Sequence, residues 1–439
     1  MAKKRVIIAG AGGRDMHNFT TYFRGNEHYE VMAFTATQVP FLAGREVPPE
    51  VAGPDYPEGI HIYDDSELER LIDELDVDEV NFAILDVSHE YVMHQASRIM
   101  VAGANFLLLG EDATMLKSKK PVIAVNAVRT GSGKGPTARR VAELLRDDMG
   151  KKVVIYEHPN PYGDLVDQSL QRFDSYEDLD KHNCSVEERE EYEPYIVDGF
   201  TVFTGIETEK VLRAAEEEGD VIVWEGGNND LPFLVPDVHI VVADPHRAGH
   251  EIRYHPGEAG VRRADVILIN KVDTADYDDV RTVRSNVREY NPDVTIIEAV
   301  SPLSVDDPAM IAGKRVLAVE DGPSVTHGDM PYGAGIMAAE RFGAELVDPR
   351  PYAVGTVKET LEEYPHLEFA LPAMGYSPQQ REELEASINA VPCDVVLLGT
   401  PIDLTRVIDI KKPTQRVSYE TREIGRPNLM DVLAPVIDG

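Results

Sequence analysis

The sequence predicts an α/β chain in two parts. A Rossmann-like parallel-sheet domain covers residues 1–118, and a larger α/β domain built on a phosphate-binding loop covers residues 119–439, a C-terminal α/β extension included. Three observations lead there. Short runs rich in Val and Ile alternate with stretches of helical periodicity, the pattern of strands joined through helices into a parallel sheet. The first run opens into Gly10-Ala11-Gly12-Gly13, and the run at 122–127 opens into a second glycine turn that carries a single lysine, Lys134.

At 439 residues the chain is too long for one ordinary core. Its 43 basic and 78 acidic side chains leave a formal net charge of −35. Such a field repels nucleic acid and anionic membranes, so neither is expected as a partner. The excess is spread over acidic stretches such as 67–79 and 187–193, without a single acidic tail. We read it as halophilic adaptation, in which salt screens the self-repulsion. Cys184 and Cys393 form neither a disulfide framework nor a metal spacing, which suits a reducing cytoplasm. No apolar run approaches membrane-spanning length.

In the first part, strands are expected at 5–9, 30–34, 79–85 and 105–109, with helices near 65–75 and 92–102. A parallel sheet of this kind places the turn after its first strand at a binding edge. The dinucleotide fingerprint is broken, because Asp15 stands where its third glycine belongs. Gly10, Gly12 and Gly13 are instead expected to shape a small-anion site, with Arg14, His17 and Asn18 as donors to phosphate or carboxylate. Residues 110–120 read as a connector.

The second part begins with the run 122–127, then Arg129-Thr130-Gly131-Ser132-Gly133-Lys134-Gly135-Pro136-Thr137 and a helical stretch. Glycines let backbone N–H groups converge on phosphate oxygens, the helix N-terminus adds positive potential, and Lys134 reaches the outer phosphates. Two positions depart from the usual loop: Ala127 replaces its first glycine, and Gly135 replaces the hydroxyl residue that normally holds Mg²⁺. Thr137 is then the nearest downstream hydroxyl, and Glu225, closing the run at 220–224, is the expected acidic partner of the metal. Asn228, Asn229 and Asp230 bring polar groups to the same edge.

The run 238–243 leads into Asp244-Pro245-His246-Arg247. Arg247, with Arg129, is expected to neutralise a transferring phosphoryl group. His246 and His250 have the spacing of a zinc pair, but Arg247 and the neighbouring prolines argue for an irregular polar loop. The run 266–269 leads into Asn270-Lys271-Val272-Asp273, the arrangement that reads guanine in GTPases. Residues 320–335 form a glycine-rich loop containing His327. Strands at 344–347, 368–371 and 394–398 and a helix at 379–389 continue the alternation, so the tail is joined to the loop domain. The stretch 173–195 reads as a charged surface insertion without chemistry.

Taken together, Gly10-Ala-Gly-Gly-Arg-Asp15 with His17-Asn18-Phe19, Arg129 to Lys134, Trp224 to Asp230, Ala243 to His250, Glu320 to Pro323 with Thr326 to Gly328, and Gly399-Thr-Pro401 with Asp403-Leu404 resemble the cyclic 2,3-diphosphoglycerate synthetases. The resemblance implies a larger domain of the P-loop NTPase type and an ATP- and Mg²⁺-dependent synthetase that closes a phosphoanhydride in 2,3-diphosphoglycerate. It also implies substrate capture by the first domain, with His246 and His327 close to the acid, and a homodimer. In that reading Lys134, Arg129, Glu225 and Arg247 do the catalytic work. Three alternatives remain: a GTP-dependent switch or metallochaperone, a kinase or ligase for another small phosphorylated acid, and a binding protein that has lost catalysis.

Overall fold

The computed structural model describes residues 2–10, 12–37, 42–227 and 230–437, so Ala11, Asn228 and Asn229 lie outside the described residues. Its strands are assembled into three main sheets. The first runs in the spatial order Glu46–Val47, Ile60–Asp64, Tyr29–Ala36, Lys4–Ala9, Glu79–Phe82 and Asn105–Leu107. All of its pairings are parallel except that of the Glu46–Val47 edge. Lys4–Ala9 is central, and the chain leaves it in opposite directions, so the first glycine turn occupies the point where strand order reverses.

The second sheet has nine strands, in the order Gln171–Phe173, Thr201–Thr204, Val153–Glu157, Val221–Glu225, Val122–Ala127, Val238–Ala243, Val266–Ile269, Thr295–Val300 and Arg422–Ile424. Only the two edges are antiparallel. Val122–Ala127 is buried at every position, as a strand covered on both faces requires. The two strands beside it end at Glu225 and just before Asp244.

The tail strands pair with one another. Arg315–Asp321 is bordered by Val395–Gly399, Glu345–Leu346 and Ala370–Ala373 in a third sheet, which carries its own buried cluster around Leu317, Val319, Leu371 and Leu398. The chain returns to the second sheet through Arg422–Ile424 and the helix Leu429–Ile437, whose Leu429 and Leu433 enter that core. Segment 119–439 therefore holds two sheets, and the cleft between them bears the site. Among the described residues no helix is long and apolar enough to cross a membrane.

The stretch 173–195 departs from expectation. Its helix Val186–Val197 is buried along most of its length, including Glu187, Glu188, Glu190 and Glu193. A capping box starts it: Ser185 Oγ accepts from the Glu188 N–H, and Glu188 accepts from the Ser185 N–H at 2.8 Å. Donors from the third sheet's loops then meet its carboxylates. The Gly375 N–H reaches Glu187 at 2.9 Å, the Thr400 hydroxyl Glu190 at 2.6 Å and the Asp403 N–H Glu193 at 3.0 Å. A spacing of three puts these acids on one helical face, so part of the acidic excess is internal.

The turn after the first sheet's central strand is held against the second sheet by close backbone approach. Gly13 has φ 120°, and a Cβ there would lie 2.2 Å from the His158 ring. We expect Gly13→Ala to cost about 1–3 kcal/mol from backbone strain and overlap, seen as a lowered thermal midpoint; an unchanged midpoint would remove this contact from the account of how the domains join.

Candidate active site

The phosphate loop is built from a buried strand and two left-handed glycines. Gly131 has φ 79° and Gly133 φ 104°, and the helix Lys134–Glu143 starts immediately afterwards. A Cβ on Gly133 would fall 2.2 Å from Asn270 Nδ2. Protein donors hold the loop's outward carbonyls: Arg247 donates to Thr130 O at 2.7 Å, Lys271 to Gly131 O at 2.6 Å and Asn270 to Ser132 O at 3.0 Å. Asp244 anchors two of these donors, accepting from Lys271 at 2.9 Å and Arg247 at 3.0 Å. Burial alone would raise the Asp244 carboxyl, yet Lys271 and Arg247 bring it down to about 2. Asp244 was missed as a site residue from sequence, although its place after a strand adjoining the loop strand was visible.

Asn270 and Lys271 thus brace the loop, while Asp273 lies aside and accepts from the Ser301 N–H at 3.3 Å. Arg247 is bound into the backbone, reaching Gly328 O at 2.7 Å as well. Arg129 is equally committed. It donates to Asp86 at 2.6 Å, meets His250 Nδ1 at 2.8 Å and Asp329 at 3.2 Å, and stacks over Tyr254 at 3.8 Å. The two arginines expected to screen a phosphoryl group therefore hold the loop to all three sheets, since Asp86 belongs to the first part and Asp329 to the tail. Asp86, with φ 55°, also accepts from the Thr130 N–H at 3.2 Å.

Lys134 is half-buried and paired with Glu225, which also accepts from the Tyr195 hydroxyl. Burial disfavours the lysine's charge, but Glu225, Glu157 and Glu191 outweigh it and raise the Lys134 pKa. A Cβ at Gly135 would stand 3.3 Å from Glu225, so the carboxylate lies where a serine side chain would begin. Thr137 turns away: its hydroxyl donates to Gly133 O at 2.8 Å and meets the Thr421 hydroxyl at 3.2 Å, and it does not line the cavity. This corrects its expected role as a metal ligand, because a hydroxyl spent on its own helix is not aimed at a phosphate.

The first glycine turn is also corrected. Asp15 accepts from the Gly12 and Gly13 N–H groups at 2.9 and 2.8 Å. Arg14 donates to Asp230 at 2.7 Å, and His17 meets Thr208 at 3.0 Å while stacking on Phe233. Asn18 donates to Asn81 at 3.0 Å. Gly10 lies against Ala83, where a Cβ would be 3.1 Å from the carbonyl oxygen. Sequence identifies these side chains but not their distant partners, and the turn's side chains are engaged by residues such as Thr208 and Asp230 of the later chain instead of presenting an open anion cradle.

A cavity of about 270 Å³ opens beside the loop, lined by Arg129, Thr130, Gly131, Gly133, Lys134 and Gly135. Ser132 is buried behind it, its hydroxyl accepting from Arg247 at 3.3 Å. His246 and His327 reach the lining, as does Lys271. His246 spans to Thr274 at 2.9 Å and to the Tyr332 hydroxyl at 3.3 Å, and burial lowers its pKa. The opposite wall carries Glu187, Glu190, Glu191 and Asp321, and an adjoining cavity of about 150 Å³ reaches Glu225. No motif announced the three glutamates, for which only their spacing was available, whereas Asp321 falls within the Glu320–Pro323 stretch of the resemblance.

The left-handed glycines and the lysine at a helix start fit a nucleotide polyphosphate. Glu225, beside the loop lysine, is a carboxylate at the end of the strand neighbouring the loop strand. Among the described residues no group of three or more His, Cys, Asp or Glu side chains is arranged to hold a metal ion.

No protein-family model matches the chain. The arginine synthetase ArcE of Thermococcus kodakarensis is 59% identical over 432 residues, covering 98% of this chain and 96% of that protein. The cyclic 2,3-diphosphoglycerate synthetase of Thermococcus sibiricus is 26% identical over 127 residues, 28% of each chain. The likeness read from sequence therefore holds at the level of a related synthetase, with the full-length match going to a different product. Among solved structures, LpxK from Aquifex aeolicus in complex with ATP aligns with a TM-score of 0.43 at 13% identity, over 74% of this chain and 89% of that one.

The carboxylate wall carries a pH signature. Burial pushes the Glu191 carboxyl up to about 8 and Glu187 and Glu320 to about 7. A carboxyl whose folded pKa exceeds its unfolded value binds more protons when folded, so its stability contribution declines as pH rises from the unfolded pKa through the folded one. We expect Glu191→Gln to gain stability relative to the wild type between pH 5 and 9, by at most about 1.4 kcal/mol per pH unit. Urea midpoints measured across that range check it, and parallel profiles would refute it.

Proposed function

We propose, on the premise that the chain belongs to the arginine synthetase ArcE family, that it is a nucleotide-dependent synthetase using ATP and Mg²⁺ to build the guanidinium group of arginine. The observation that carries this reading is the loop itself, whose carbonyls are braced outward and whose lysine sits at a helix start facing a wall of acids. A braced loop suits phosphoryl transfer, where positioning and charge stabilisation dominate.

A guanidinium differs from a ureido group by nitrogen in place of oxygen. Transfer of the γ-phosphoryl group of ATP to the ureido oxygen makes that oxygen a leaving group. A nitrogen nucleophile then forms the new C–N bond, the C–O bond breaks, and ADP and phosphate are released. Lys134 would neutralise the outer phosphates and the loop N–H groups would position them. Mg²⁺, met by Glu225, would supply further charge neutralisation on the bound nucleotide. Buried Glu157 and half-buried Glu191 stand close enough to Lys134 to act on its charge, so moving Lys134 to a phosphate would free Glu225 for the metal.

A second reading, closure of a phosphoanhydride in 2,3-diphosphoglycerate, is favoured by the partial match to the Thermococcus sibiricus enzyme. There the γ-phosphoryl group of ATP would pass to one phosphate of the acid, an oxygen of the other phosphate would attack the activated phosphorus, and the P–O bond to the transferred group would break to release phosphate beside ADP. The Asn270–Asp273 stretch keeps GTP among the nucleotides to be tried, since the contact Asp273 accepts from the Ser301 N–H is a long one, 3.3 Å.

The test is phosphate release from purified protein with ATP or GTP and Mg²⁺, with citrulline plus ammonium in one series and 2,3-diphosphoglycerate in the other. Arginine appearing by mass spectrometry, coupled to ADP formation, is the expected result. A cyclic phosphoanhydride seen by phosphorus NMR would establish the second reading in its place. Lys134→Ala should lower turnover by about 10²-fold or more, on the scale of losing a charge-stabilising donor; activity retained in that variant would remove the loop lysine from the chemistry.

A further inference from the structure

The cavity wall opposite the loop holds more negative charge than its neighbours neutralise. Glu187 and Glu190 are 5% and 7% exposed, and both line the cavity. Each has one oxygen satisfied, by the Gly375 N–H and the Thr400 hydroxyl respectively, while its second oxygen, Oε2, is buried without a hydrogen-bond donor. The group that Glu190 faces is another carboxyl, Asp321, close enough for the two to share a proton. Asp321 itself accepts from the Ser324 hydroxyl. The cavity's cations are engaged elsewhere: Lys134 with Glu225, Lys271 with Asp244 and Arg129 with Asp86.

Buried polar atoms left without partners are rare, and a buried pair of like carboxyls requires either a shared proton or a cation. A planar cation with several N–H donors satisfies both conditions together: it fills the vacant lone pairs on Glu187 and Glu190 and lets Glu190 and Asp321 ionise side by side. An ammonium group on a flexible stem matches this less well, because the open oxygens come from two acids of one helix and a third acid on a facing strand end.

We propose that Glu187, Glu190 and Asp321 form the subsite for the guanidinium group of the substrate or product, separate from the phosphate loop across the same cavity. The proposal deepens the arginine reading and rests on it. It gives the buried acidic helix a chemical role: its spacing of three faces the third sheet and at the same time brings two of its acids, Glu187 and Glu190, into the cavity lining.

The test is calorimetric titration of the full-length protein with L-arginine and with L-citrulline, its uncharged ureido counterpart. We expect the wild type to bind arginine at least tenfold more tightly than citrulline. Glu190→Gln keeps an acceptor for Thr400 and removes the charge, and should abolish most of that preference while citrulline and ATP affinities change less than threefold. Glu187→Gln should act in the same direction, and thermal melts would verify that both variants are folded. Arginine affinity unchanged in both folded variants, or lost in step with citrulline and ATP, would overturn the subsite and leave the synthetase reading standing. If the wild type binds neither amino acid and its nucleotide turnover ignores both, the arginine reading fails and takes the subsite with it. Binding of Mg²⁺ alone that Glu190→Gln abolishes, with arginine binding intact, would identify a metal site and overturn the subsite.

Discussion

Lys134 is the group on which the rest of the site depends. An ammonium largely withdrawn from water calls for close countercharge, and the protein supplies it through Glu225, with Glu157 and Glu191 further back. Each acid comes from a different element: two strand ends of the second sheet and the buried helix. The lysine thereby fixes how the helix Val186–Val197 sits over the loop, and the helix in turn fixes where the third sheet docks, through Gly375, Thr400 and Asp403. Charge balance at one nitrogen propagates into the arrangement of two sheets.

The same economy appears around Asp244. Its carboxylate holds Lys271 and Arg247, and those side chains hold the loop's carbonyls. Neither cation needs to touch a ligand to matter. A loop whose carbonyls are already occupied has less freedom to lose when a polyphosphate arrives, which is preorganisation in its simplest form.

Local chemistry was legible in the sequence; the destinations of side chains were not. The run 122–137 announced its role because strand, glycines, lysine and helix are consecutive, and every step from pattern to structure is short-range. The stretch 266–273 was equally plain as a strand end beside the loop. Arg14 and His17 were visible as donors, yet their partners, Asp230 and Thr208, lie far along the chain, and no periodicity carries that information. The helix Val186–Val197 was misread because charge normally marks solvent. Its carboxylates are buried because N–H and hydroxyl donors from the tail meet them, a fact that exists only once the third sheet is in place. Thr137 failed for a smaller reason: near a helix start a threonine hydroxyl has its own backbone carbonyl within reach, four residues back.

Asp86 bears on how the first sheet senses the second. It reaches from one domain to accept the Thr130 N–H of the other, in the backbone that would meet phosphate. An internal carboxylate is thus an anion already seated at the edge of an anion site. Any phosphate oxygen that takes the Thr130 N–H does so in exchange for Asp86, not in addition to it. Ligand affinity at the Thr130 N–H and the Asp86–Thr130 contact are then opposite sides of one equilibrium, and whatever strengthens that contact weakens a ligand that needs the same N–H by the same free energy.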